Sequence, residues 1–167
     1  AQVKRNASGL QEIYVIDEIF IKNSNTVEAC NEFKSRYPNH SRGVILYGDE
    51  TGNQRHTSSN ITNWKIIETE LADYRIEKRV PTRNPAERDR INAVNGMICN
   101  SKGVNRVFVN PQCKNLIRDF EQVSYKQGTT QIDKKKDLRL THASDALGYM
   151  IDKEFGLGRG KIEGLKI

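Results

Sequence analysis

Short apolar stretches along the chain predict β-strands, because they are rich in β-branched and aromatic residues or end at turn residues. Strands are expected at Ala1–Lys4, Glu12–Ile21, Gly43–Tyr47, Tyr74–Val80 and Arg106–Val109. The first two flank a turn-forming segment, Asn6–Gly9, and are expected to form a hairpin. The short apolar run Gly43–Tyr47, placed between polar segments, is typical of a buried parallel strand.

Apolar residues at helical spacing predict five helices between and after these strands. The helices are expected at Val27–Tyr37, Thr62–Asp73, Asn84–Asn100, Cys113–Val123 and Thr141–Phe155. The polar, Lys-rich segment Gln127–Leu138 is expected to be a loop or a small hairpin. This order of elements predicts one α/β domain over residues 1–155, followed by a flexible basic tail at 156–167. Its sheet is expected to be mixed, with antiparallel pairing first and parallel pairing later.

The charge of the chain favours a polyanionic partner such as nucleic acid. The 167 residues include 27 Lys and Arg against 21 Asp and Glu, which gives a formal net charge of +6. The excess is moderate, so many charges must belong to an ordinary solvated surface. Three cysteines without C-x-x-C spacing argue against a zinc knuckle or a disulfide scaffold. No apolar stretch is long enough to span a membrane, and no signal-peptide pattern is present.

Two short segments contain the residues best suited to catalysis. Asp49 follows the apolar run Gly43–Tyr47, and the carboxyl ends of parallel strands are where α/β sheets bind ligands. His142 and Asp145 share one face at the start of the last helix. Hard divalent cations prefer such carboxylates, delivered from separate elements. The alternatives are that Asp49 only forms a turn, and that Thr141 caps the helix while Asp145 complements its dipole.

Seven segments in this order resemble the C-terminal nuclease domain of the large terminase subunit of tailed bacteriophages. The segments are Tyr14–Ile21, Asn23–Thr26, Tyr47–Gly52, Val80–Pro85, Arg88–Asn92, Val109–Lys114 and Thr141–Tyr149. The resemblance spans nearly the whole chain and implies a ribonuclease H-like fold. It also implies an endonuclease that uses two Mg²⁺ or Mn²⁺ ions to cut concatemeric viral DNA during genome packaging.

The resemblance assigns Asp49, Asp145 and His142 to the catalytic and metal-binding centre. It further implies an aspartate on a first, central strand, but no carboxylate precedes Glu12 in this chain. The chain is therefore expected to lack that strand and to be inactive by itself. No G-x-x-x-x-G-K-[ST] segment is present, so the packaging ATPase of the family is not expected here either.

Other polar residues have both a functional and a structural interpretation. Glu18 is a candidate for a position behind the metal ligands, or for pairing with an arginine. Arg55, Arg88 and Lys134 are candidates for DNA phosphate contacts, or for salt bridges and solvated surface. Arg88 and Arg90 are two apart on a helix, so one of them is expected to be structural. Trp64 is expected in the core.

The implied partners are double-stranded DNA and, in the full protein, a packaging ATPase, the portal protein and the small terminase subunit. The implied location is the host cytoplasm, as a viral protein that has no membrane partner. Two alternatives remain open. One is a DNA-binding or portal-docking module without catalysis, and the other is a different ribonuclease H-like nuclease, such as a junction resolvase.

Overall fold

The structure is a computed structural model that describes residues 1–56, 59–129, 132–133 and 140–156. It is of the α/β class, as the sequence predicts. In chain order, the helices and strands within these ranges are β1 (Gln2–Arg5), β2 (Gln11–Val15), α1 (Thr26–Arg36), β3 (Val44–Leu46), β4 (Arg55–His56), β5 (Ser59–Thr62), α2 (Asn63–Glu70), β6 (Ile76–Lys78), α3 (Glu87–Ile98), β7 (Val107–Val109), α4 (Lys114–Gln122) and α5 (His142–Phe155). The chain forms two compact units, Ala1–Glu18 with the chain from Pro85 onward, and Ile19–Asn84.

The first unit contains a three-stranded sheet in the order β1-β2-β7. β1 and β2 are antiparallel, with Val3 opposite Ile13, and β2 runs parallel to β7. Helix α5 packs against α3 and α4. The core lies between these helices and β2, and Ile13, Cys113 and Ile151 are its most deeply buried side chains, all at 0 % exposure.

The second unit is built around the parallel pair β3 and β6, in which Val44 is opposite Ile76. Its core contains Cys30 of α1, Leu71 and Tyr74. Helix α1 begins with a capping box, because the Asn25 side chain accepts from the Glu28 amide and the Glu28 side chain accepts from the Asn25 amide. A separate short hairpin, β4-β5, completes the unit.

The order and type of the predicted helices are confirmed, and so are the antiparallel hairpin and the later parallel pairing. The described strands form three separate sheets and not the single mixed sheet that is expected from the sequence. The prediction that Gly43–Tyr47 forms a buried strand is wrong in its burial, because β3 is partly exposed, with Ile45 at 43 % exposure.

The prediction of a strand as far as Ile21 is wrong, because β2 ends at Val15. Its partner β7 ends at Val109, where Asn110 donates its amide to the Val15 carbonyl and Pro111 follows. The hairpin β4-β5 is not predicted, since these polar residues show no alternation of apolar and polar positions.

Among the described helices, none combines the length and apolar character that crossing a membrane requires. The predicted tail at 156–167 falls outside the described residues, apart from Gly156.

The three thiols differ sharply in burial, and we expect them to differ in reactivity. Cys30 and Cys113 are buried and Cys99 is exposed. Burial raises the pKa of the Cys30 thiol, with Glu70 adding to the effect. Burial raises the pKa of Cys113 in the same way, with contributions from Glu18 and Asp17. Because only the thiolate reacts, iodoacetamide at pH 8 should modify Cys99 well before the other two.

Peptide mapping by mass spectrometry after timed alkylation measures the three rates separately. Alkylation in concentrated urea is the control, and all three cysteines should then react at similar rates. Comparable rates in the folded protein would contradict the burial of Cys30 and Cys113.

Candidate active site

Asp49 lies just beyond the end of β3 and caps the short 3-10 turn Glu50–Asn53. Its Oδ1 accepts a hydrogen bond from the Thr51 amide at 2.6 Å and another from Asn84 Nδ2 at 2.7 Å. The Asn84 amide oxygen in turn accepts from the Glu50 amide at 2.8 Å. Asn84 thus fixes both the Asp49 carboxylate and the turn that follows it, so Asp49 is held in one orientation.

The indole of Trp64 packs against this turn. Trp64 is buried, as the sequence predicts, and its Nε1 donates to the Asp49 carbonyl at 3.0 Å. A Cβ on Gly48 would lie 2.7 Å from Trp64 Cη2, and one on Gly52 would lie 2.5 Å from Trp64 Nε1. The two glycines are therefore needed because the indole leaves no room for a side chain.

The start of α5 is fixed by a carboxylate from another helix. Oδ2 of Asp119, in α4, accepts from the amides of Ala143 and Ser144, both at 3.0 Å. The Thr141 side chain makes no capping hydrogen bond, so the interpretation of Thr141 as the cap is wrong. Thr141 is instead buried with φ of 88°, a strained conformation for a β-branched residue. His142, the first residue of the helix, is exposed.

Asp145 is paired with Arg90 of α3. Arg90 Nη2 lies 2.5 Å from Asp145 Oδ1, and the two side chains are 8 % and 27 % exposed. The guanidinium carbon lies 4.4 Å from the centre of the Tyr149 ring, which adds a cation–π contact. A Cβ on Gly148 would approach Arg90 Cγ and Cδ to 3.1 Å. The segment Asp145–Tyr149 therefore packs closely around the Arg90 side chain and binds its guanidinium group.

Glu18 is engaged at the start of α4. Its Oε1 accepts from the backbone amide and the side-chain Nδ2 of Asn115, both at 2.8 Å, and its Oε2 accepts from the Leu116 amide at 3.0 Å. Glu18, which lies just beyond β2, therefore caps the N-terminus of α4. A position behind the metal ligands stays a prediction for Glu18.

The three predicted DNA-contacting residues are placed differently. Arg88 is exposed on α3, whereas Arg90, two residues later, is buried. This division confirms that one of the two is structural. Arg55 belongs to β4, and Lys134 lies outside the described residues.

The candidate metal ligands divide between the two units. Asp49 belongs to the second unit, while His142 and Asp145 belong to the first. No group of three or more His, Cys, Asp or Glu residues within the described part of the chain is gathered closely enough to hold a metal ion. The carboxylates of Asp49 and Asp145 are donors of the type that Mg²⁺ and Mn²⁺ prefer, but the number of candidate ligands within either unit falls short of a complete site.

Two residues that shape these centres, Asn84 and Asp119, are not among the predicted site residues. Asn84 is only the first residue of the predicted helix Asn84–Asn100, and its contact with Asp49 spans 35 residues of sequence. Asp119 has a signal in the sequence, because it is a charged residue three positions after buried Leu116 on the same helix. A carboxylate within an apolar stripe requires a partner, and here the partner is the α5 N-terminus.

No family model, curated protein or solved structure matches the chain. Support for a function comes from the residues and their contacts.

Replacing Gly52 by alanine should destabilise the second unit. The new Cβ would be forced against the rigid Trp64 indole, whose Nε1 is already bonded to Asp49. We expect a loss of about 1–3 kcal/mol in the free energy of unfolding. Urea titration followed by Trp64 fluorescence measures it, since Trp64 is the single tryptophan of the chain.

Gly96→Ala is the matched control for that change. A Cβ on Gly96 meets nothing within 4 Å, and Gly96 lies inside α3. Its replacement should stabilise the protein by roughly 0.5–1 kcal/mol, as measured by circular dichroism during urea unfolding. Equal effects of the two alanines would show that Gly52 does not pack against Trp64 as described.

Asp145→Asn should destabilise the first unit, because it leaves the buried Arg90 guanidinium without its counter-charge. We expect about 1–3 kcal/mol, measured by urea unfolding. The double variant Arg90→Met/Asp145→Asn should recover much of that loss, since the unpaired charge is gone. Asp89→Asn, an exposed aspartate on α3, should change stability by less than about 0.5 kcal/mol. If Asp145→Asn behaves like this control, the ion pair does not contribute to stability.

Proposed function

We propose that this chain is the nuclease domain of a terminase-like protein with a ribonuclease H-like fold. In this proposal it is a metal-dependent endodeoxyribonuclease that cuts concatemeric viral DNA during genome packaging. The observation that carries the proposal is that the segments of the resemblance contact one another in pairs. In two of the three pairs, segments distant in sequence come together at a residue to which the resemblance assigns a role, Asp49 or Asp145.

Three such pairs support the proposal. Asp49 in Tyr47–Gly52 bonds to Asn84 in Val80–Pro85. Asp145 in Thr141–Tyr149 pairs with Arg90 in Arg88–Asn92. The Val15 carbonyl in Tyr14–Ile21 accepts from Asn110 in Val109–Lys114. Contacts between these segments are expected if the chain has the fold of the family that it resembles. Each of the three contacts lies within one unit.

The proposed chemistry is phosphodiester hydrolysis. A pair of Mg²⁺ or Mn²⁺ ions would supply an activated water and stabilise the leaving 3′ oxygen. Asp49 and Asp145 are the proposed ligands in this chain, and the resemblance implies a third carboxylate on a central strand. His142 is exposed at the start of α5, where it can orient a water or transfer a proton.

DNA binding is proposed to rest mainly on phosphate contacts and hence to be largely independent of sequence. Arg88, exposed on α3, is the candidate contact with a described side chain. Arg55 and Lys134 are proposed to contribute as well. The packaging ATPase, the portal protein and the small terminase subunit are the proposed partners of the whole protein, which would act in the host cytoplasm.

Nicking of supercoiled plasmid with Mn²⁺ tests the nuclease directly. The chain extended upstream through the implied strand should nick, and Asp49→Ala and Asp145→Ala should each reduce nicking to background. Asp73→Ala and Asp89→Ala are matched controls, because both aspartates are exposed and belong to the second and first unit respectively. Circular dichroism must show that the variants are folded, since Asp145 also pairs with Arg90.

Each contrary outcome points to a specific alternative. Nicking that survives both alanine substitutions would refute the assignment of the ligands. DNA binding without cleavage by the extended chain would favour a binding or portal-docking module. Selective cutting of branched junctions would favour a resolvase.

A further inference from the structure

A cleft of about 180 Å³ lies between α3, α4 and α5 within the first unit. Its walls combine apolar and charged side chains. Those that matter here are Arg90, Ile91, Val94, Asp119, Phe120 and Asp145. The cleft lies beside the capped start of α5, on the side where Arg90 and Asp145 meet.

Asp119 is the unusual member of this cleft. It is 1 % exposed, and its Oδ2 is occupied by the amides of Ala143 and Ser144. Its Oδ1 is also buried but has no hydrogen-bond partner among the described residues. A buried carboxylate oxygen is a strong acceptor, and leaving it unpaired is costly. Asp119 lines the cleft, so a ligand that displaces the atoms covering Oδ1 can satisfy this acceptor.

The charges around the cleft indicate the kind of ligand. Asp145 is already balanced by Arg90, so Asp119 leaves the wall with an excess negative charge. A carboxylate can only accept hydrogen bonds, so its partner must donate. Ile91, Val94 and Phe120 present apolar surface to the remainder of such a molecule. We propose that this cleft binds an organic cation, with an ammonium, amidinium or guanidinium group on Asp119 Oδ1 and an apolar body between α3 and α4.

A metal ion fits this cleft less well than an organic cation. At Asp119 a hard divalent cation would find one unpartnered carboxylate oxygen and would take its other ligands from water, and the described residues gather no group of three or more ligating side chains. The apolar walls supply no further oxygen ligands. An organic cation instead uses one charge-assisted hydrogen bond together with apolar contact, and the cleft offers both.

Titration of the isotope-labelled chain with benzamidinium, followed by NMR, tests the proposal without DNA or metal. The amide signals of Ala143 and Ser144 report directly on Asp119, because both amides bond to its carboxylate. They should shift in a saturable manner. Benzamide has nearly the same shape but no charge, and it should bind about tenfold more weakly or worse.

Two variants locate the binding. Asp119→Asn keeps an oxygen to cap α5 but turns an amide donor toward the cleft, so benzamidinium affinity should fall about tenfold or more. Ile91→Phe is expected to fill the cleft and to leave Asp119 and its hydrogen bonds to α5 intact. It should therefore lower benzamidinium affinity as well, and it serves as the test if Asp119→Asn does not fold. Affinity unchanged in a folded Asp119→Asn variant, or in Ile91→Phe, would overturn the proposal.

Two further results would also overturn it. Absence of any saturable shift at millimolar benzamidinium would mean that water satisfies Asp119. Displacement of benzamidinium by Mg²⁺, with the same two amides shifting, would make the cleft a metal site. Failure of plasmid nicking leaves this test unaffected, because binding at Asp119 is measured independently of cleavage.

Discussion

The first unit depends on one recurring interaction, in which a side-chain carboxylate binds the positive group presented by another helix. Glu18, just beyond β2, caps α4, and Asp119 of α4 caps α5. Asp145 of α5 then pairs with Arg90 of α3. The first amides of a helix lack intrahelical partners and carry partial positive charge, so each cap removes a real cost. The chain of carboxylates thereby links the sheet to all three helices.

Local signals in the sequence predict most of the elements but not their exact extent. Apolar periodicity and capping residues locate the five helices, and β-branched runs locate most strands. The predicted strand Glu12–Ile21 is too long because its limit is set elsewhere. β7 offers only three residues for pairing, and Glu18 is drawn to the start of α4. Limits of this kind arise from partners distant in sequence, which a local pattern does not contain.

The candidate site shows the same division between local and distant information. Asp49 and Asp145 can be selected from sequence because a strand end and a helix start are local features. Their partners are not local, since Asn84 and Arg90 are 35 and 55 residues away from them. The glycines beside Asp49 illustrate a second limit. Their purpose is to clear space for Trp64, a packing requirement that no turn pattern reveals.

The Arg90–Asp145 pair places a physical condition on the proposed nuclease. The Asp145 carboxylate is already engaged by the Arg90 guanidinium, which donates to its Oδ1. A divalent cation must therefore share the carboxylate with a guanidinium that is itself held by Tyr149 and fitted against Gly148. Under the proposed function, DNA phosphate would compete with Asp145 for that guanidinium, because arginine can bind phosphate through two parallel hydrogen bonds. Under the proposed function, metal and DNA binding at Asp145 should then reinforce each other, since such coupling is reciprocal.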